Sequence, residues 1–322
     1  MTTLITLIFA FVIEQLRPLP LNNPVFNAIS GLAQWFEQTF NAGERTHGRI
    51  AWLLLVVPSV LAMWGIGFAL GYVNPLLGFA WNILLLYLTL GFRQFSHYFT
   101  DIQAALIEGQ LDEARRVLTL WVQESDRNFS AESLDRHEVV RHTVRHALIA
   151  SHRHVFGVLF WTMVLPGVSG AVLYRLAEYL KRRWNLPQDL QGQVFGQFAQ
   201  RAFAVLDWIP VRLTALGFAV VGNFEDAIYC WRTQVQHWSA SEPGILLASG
   251  AGALGVRLHS VVAPDTPEAQ FGETVGMIEP DSAWSAAVPD LPTLQSAVGL
   301  VWRSVVLWAV VLVLISLGSW IR

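Results

Sequence analysis

Apolar residues run unbroken over several stretches of the chain. Ile50–Tyr72 holds 23 residues without a charge, Leu76–Phe92 holds 17, and Ser304–Ile321 holds 18, flanked by Arg303 and Arg322. Each can cross about 30 Å of hydrocarbon, the middle one only just. Leu4–Leu16 reads as a further, retained membrane helix, because Thr2–Val12 lacks the basic start and small-residue cleavage site of a signal peptide. Arg201–Gly222 is similarly apolar but encloses Asp207, Pro210 and Arg212. The pattern predicts an all-α, polytopic membrane protein with about five spans, at 4–16, 50–72, 76–92, 203–222 and 304–321.

The intervening segments carry helical spacing of a different kind. Phe95, Phe99, Ile102 and Leu106 form one apolar stripe, and Leu111–Val122 forms a second beyond a break at Gly109. Ser130 and Ser133 are candidate caps for a third helix carrying Val139, Val140, Val144 and Leu148. Together these predict a cytoplasmic, amphipathic helical insert over 93–154. In Val155–Leu180 the Leu165–Gly170 stretch divides two halves of about ten residues, each too short to span. A re-entrant hairpin would return the chain to its starting side and keep Arg153 with Lys181-Arg182-Arg183, as positive charge prefers. A kinked full span is the rival. The resulting topology starts outside and ends inside. It places Ala263–Leu300, with six acids, five prolines and no Arg or Lys, in an outer loop near 260–300.

Composition narrows the function classes. Apolar residues make up 53% and charged residues 14%, with a mean hydropathy of +0.43. Soluble domains carry about 25% charged residues, so a lipid bilayer is the expected surround. A net charge of −3 offers no basic field for nucleic acid. The single cysteine, Cys230, excludes an intramolecular disulfide and a cysteine-based metal site. Lys181 is the one lysine among 21 basic residues. Arginine suits bidentate binding of phosphate or carboxylate, although codon bias produces the same skew.

Three features could carry chemistry. Glu138, His142 and His146 share a helix face at metal-ligand spacing. Arg136, Arg141, Arg145 and Arg153 interleave them and would repel a cation, so no metal is expected; an anion-binding surface and a solvated face stay open. Asp207 and Arg212 could pair within the membrane. On a regular helix they point about 140° apart, so the pairing requires a break at Pro210. Arg212 would then bind an anionic ligand that Asp207 helps orient; the alternative is that both charges reach out to headgroups. The glycines of Leu247–Leu258 make a weak phosphate loop ending in Arg257, and close helix packing explains them equally.

Several stretches resemble the CobD/CbiB membrane proteins: Leu111–Leu118 (LDEARRVL), Leu159–Trp161, Gly170–Arg175 (GAVLYR), Pro210–Leu216 (PVRLTAL) and Gly250–Leu258 (GAGALGVRL). The resemblance implies a helical membrane protein that joins adenosylcobyric acid to aminopropanol phosphate through an amide, using ATP and a divalent metal. The family's acid- and asparagine-rich motif before Leu159–Trp161 falls here on Ile149–His154. Most of the oxygen ligands that such a ligase needs are absent. The arginines Arg93, Arg175, Arg201, Arg212 and Arg257 remain, and with Asp207 they form the expected anion-binding set. The wording Val205–Leu213 (VLDWIPVRL) is closer to the AmpE-like branch. That branch implies a multi-pass bacterial inner-membrane protein, non-catalytic or altered, which binds an anionic small molecule or a membrane partner in cell-envelope signalling. No cofactor is expected on that reading. The alternative is a working adenosylcobinamide-phosphate synthase, and only then would Mg²⁺ and ATP be needed.

Overall fold

The computed structural model describes residues 2–17, 24–41, 45–126, 128–184, 190–238, 243–259 and 286–318. Apart from one isolated bridge between Val256 and Ala287, its regular structure there is helical. In the first half, α1 (Thr2–Leu16) and α2 (Pro24–Phe40) precede a long hairpin of α3 (Arg45–Val73) and α4 (Pro75–Thr89). Asn74 turns that corner: its side chain accepts from the Leu76 N–H (2.8 Å), and Pro75 opens α4.

The predicted insert contains α5 (Phe92–Ile107) and α6 (Leu111–Gln123), joined at Gly109, whose φ of +76° suits glycine. Then comes α7 (Arg136–Ser151), capped by Asp135, which accepts from the Glu138 N–H (2.7 Å). Ser130 and Ser133 do not cap it, because the helix starts only at Arg136; the Ser130 hydroxyl instead accepts from the Glu132 N–H (3.4 Å).

A hairpin does follow, made of α8 (Gly157–Val164) and α9 (Ser169–Trp184) around a tip at 165–168. Its first arm is much longer than ten residues. Helix α7 runs through a π turn, His152–Phe156, directly into α8, so Arg136–Val164 is one 29-residue helical stretch. The boundary expected at 154/155 therefore dissolves into continuous helix. The tip stands beside α4: a Cβ at Gly167 would lie 3.5 Å from Asn82 Oδ1, and Gly67 and Gly71 on α3 and Gly78 on α4 share a cavity with it.

The long helix α10 (Leu190–Val221) follows, then α11 (Phe224–Gln234), α12 (Gly244–Leu254) and α13 (Leu291–Gly318). Helix α10 passes through Pro210 without breaking. Proline leaves the Leu206 carbonyl without its helical donor, and the Trp161 indole N–H from α8 bonds that carbonyl (3.2 Å). Helix α13 begins within the expected outer loop. Asp290 starts it, accepting from the Leu291 N–H (2.7 Å) while its own N–H donates to Thr293 Oγ1 (3.1 Å). Helices α11 and α12 precede the expected loop, whose residues 260–285 lie outside the described residues.

Among the described residues, four helical stretches can cross a membrane by length and apolarity: Thr46–Val73, Arg136–Val164, Val194–Val221 and Leu291–Gly318. Helices α1, α4 and α12 are apolar but shorter. Their side chains build two cores. One gathers α5–α8 with α11–α13 around Phe156, Phe218 and Leu148; the other gathers α1–α4 with α9 around Tyr174, Trp184 and Phe195. Helix α10 serves both, with Phe195, Ala199 and Phe203 in the second core and Val211 and Phe218 in the first. Asp207 sits at the changeover.

Candidate functional site

The seam between the cores is polar. Asp207 on α10 accepts from His152 Nε2 (2.8 Å) and from the Tyr174 hydroxyl (2.7 Å). The other imidazole nitrogen, Nδ1, lies 2.9 Å from Thr214 Oγ1, and that hydroxyl donates to the Pro210 carbonyl (2.9 Å). His152, Tyr174 and Thr214 are fully buried. Three helices thus meet on one carboxylate. The π turn makes this meeting feasible: the Gly157 N–H reaches back five residues to the His152 carbonyl, which rotates the helix face locally. Both His152 and Phe156 consequently point inward. Gly157 leaves space for the phenol, since a Cβ there would overlap the Tyr174 ring.

One helical turn further along α9 the charges cluster. Glu178 is almost completely buried and pairs with Arg182 (2.8 Å) and Arg175 (3.3 Å). Two opposite charges close at hand offset the large cost of burying that carboxylate. Lys181 lies over the Phe203 ring at 5.0 Å. A small cavity of about 40 Å³ opens beside this cluster, lined among others by Trp121, Glu124, His146, Arg153, His154 and Arg182. Glu124, at its rim, accepts from the Tyr98 hydroxyl (2.9 Å). Burial first, and then the Glu124 charge, push that phenol up to about 12, so Tyr98 acts as the donor.

The expected anion set is divided. Asp207 and Arg175 belong to the seam. Arg212 does not reach Asp207; its guanidinium stacks over Trp208 at 4.0 Å and donates to the Trp208 carbonyl (2.8 Å). The unbroken helix keeps the two on different faces, so no intramembrane Asp207–Arg212 pair forms. Arg201 is exposed on α10. Arg257 follows α12, where its backbone N–H donates to the Ala287 carbonyl (3.0 Å). The side chain of Arg93 lies outside the described residues. The glycines ahead of Arg257 are packing residues: Gly250 faces Leu148, and Gly252 lies against the α11 backbone.

The histidine face of α7 is also differently used. His142 packs on Phe129 and His146 stands edge-on to Trp121, with ring centres 5.3 and 4.6 Å apart, while Glu138 pairs with Arg141. A fully solvated face is thereby corrected to a half-buried aromatic one. Among the described residues no three His, Cys, Asp or Glu side chains converge as a metal-holding group. The carboxylates of the seam are engaged with cations or with hydroxyl and imidazole donors, so the constellation does not fit a protein-built Mg²⁺ cage.

The CobD/Cbib protein family matches residues 7–279. A cobalamin biosynthesis protein CobD of Stutzerimonas stutzeri is 32% identical over 325 residues, covering 100% of this chain and 99% of that protein. The protein of the same name in Chromobacterium violaceum is 37% identical over 66% of this chain and 65% of its own length. That of Photorhabdus laumondii is 26% identical over 70% and 68%. No solved structure matches. By the extent of these matches, the chain belongs to the CobD/CbiB family.

Proposed function

We propose that this protein works in cobalamin biosynthesis as the adenosylcobinamide-phosphate synthase, forming the amide between a corrinoid acid and an aminoalkyl phosphate in the bacterial inner membrane. The observation that carries this reading is the end-to-end match to a relative named for that pathway. It favours the synthase over the AmpE-like signalling role expected from the wording around Asp207. The seam supplies the polar groups: His152 and Tyr174 are held by Asp207 where two cores meet, and the Arg175–Glu178–Arg182 cluster lies beside them. A fixed network of this kind can orient a substrate and hold a proton at a defined atom. No step is assigned through Mg²⁺ or ATP, because the acids among the described residues do not converge as a metal-holding group.

One observation favours a second reading, an altered member without ligase activity. Ile149–His154, the positions of the family's acidic motif, are occupied here by packing and cationic residues; Ser151, for example, donates to the Leu148 carbonyl (2.9 Å). Complementation separates the two. Expressed in a strain lacking its own synthase, the chain is expected to restore cobinamide-dependent growth. Asp207→Asn should abolish that rescue at unchanged membrane abundance. Full-length protein that inserts normally yet gives no growth would establish the second reading.

A further inference from the structure

We infer that the cavity between α6, α7 and α9 is a binding site for a phosphate-type oxyanion, with the Arg153 guanidinium as its principal donor. The cavity's size fits: about 40 Å³ holds roughly three waters, the bulk of one phosphate group. Its charges fit as well. Two carboxylates line it, but Glu178 is engaged by Arg175 and Arg182, and Glu124 accepts from Tyr98. Arg153 makes no ion pair or hydrogen bond among the described residues, although Asp207 and Glu178 lie near enough to feel its charge. Its Nε is enclosed without a hydrogen-bond partner, an expensive state for a cationic donor. An oxyanion resolves it, since a guanidinium presents parallel N–H groups at the spacing of two phosphate oxygens. Arg182 lines the cavity as well. Access is from the polar insert, because Glu124 and Ser125 at the rim are exposed.

The inference does not depend on the ligase reading, because Arg153 occupies a position where the resemblance led us to expect an acidic motif. A site with that charge inverted takes the anion directly and needs no bridging metal. Free phosphate esters and lipid headgroups share this chemistry.

The test uses full-length protein in dodecyl maltoside, which carries no phosphate, titrated with inorganic phosphate. The readouts are the thermal midpoint and the 31P line width. A saturable response is expected, weakened about tenfold or more by Arg153→Gln. Arg153→Lys, which keeps the charge but loses the fork, should weaken it several-fold. Arg116→Gln, which removes an exposed guanidinium paired with Glu113 (2.6 Å), should leave it unchanged. The titration is repeated in nanodiscs of phosphatidylglycerol and of phosphatidylcholine. Stabilisation by phosphatidylglycerol alone, lost in the Arg153 variants, assigns a headgroup; a response to free phosphate in both assigns a soluble ester. The inference is overturned if neither phosphate nor phosphatidylglycerol affects the wild-type protein. It is equally overturned if either Arg153 variant, still monodisperse, binds as the wild type does. If Arg153→Gln fails to fold, Arg153→Lys decides the matter. Neither readout involves ligase activity, so failure here and failure of complementation are distinguishable.

Discussion

Asp207 holds two buried donors on separate helices, whereas Arg212 is half-buried against Trp208, and the difference sets their mutational costs. Asp207→Asn retains the shape but loses an ionised acceptor, and is expected to lower stability by about 1–3 kcal/mol. Arg212→Gln forfeits mainly the stacking, worth about 0.5–1 kcal/mol. Denaturation of both variants in the same detergent checks the order; a larger loss for Arg212→Gln would refute this description of the seam. Tyr98 sets a pH limit. The folded chain keeps its phenol proton up to about 12, while the unfolded chain releases it near 10.0, so this group makes stability fall as pH rises between those values. Tyr98→Phe should remove one phenol from the alkaline end of the ultraviolet titration and flatten that fall. The sequence singled out Asp207, because an ionisable group in an apolar run is costly enough to stand out, and the structure places it at the seam between the cores. It could not disclose His152, 55 residues away with no shared periodicity, nor Tyr174.

The helical elements were read most reliably where apolar length alone defines them. The α3–α4 hairpin and the turn at 165–168 follow from runs and breaks visible in the sequence. What escaped depends on partners. Pro210 predicts a broken helix only while the Leu206 carbonyl has nowhere to go, and its donor sits on another helix. Trp161→Phe removes that donor and keeps a smaller aromatic ring in its place. It should cost about 1–3 kcal/mol as a buried carbonyl loses its partner. Helical content measured by circular dichroism should stay near the wild-type value while the thermal midpoint falls. An unchanged midpoint would mean that Pro210 is tolerated for another reason. Helices α11 and α12 were missed because they are short and their stability comes from burial against neighbours, and nothing in the pattern of α2 marked it as a helix of its own. The π turn was illegible for a related reason: one extra residue in a helical turn leaves no compositional trace.

On the scale of the whole molecule, the two cores meet along α10 and the α8–α9 hairpin, and the polar groups occupy that join. The all-α membrane architecture was legible from hydropathy, and the family from motif order along the chain. The site was legible only in part: of the singled-out arginines whose side chains are described, Arg175 joins the seam and Arg201, Arg212 and Arg257 do not, while the guanidinium with the strongest claim on a ligand is Arg153. The hairpin's unequal arms carry one more consequence. Arg153 lies eleven residues before the end of α8 and Lys181 twelve after the start of α9, so both stand about 17 Å from the tip. The tip meets Asn82 on α4 and shares a cavity with Gly67 and Gly71 on α3. Because each arm is a rigid helix, any slide of the hairpin along its axis would displace both cations together and by the same amount.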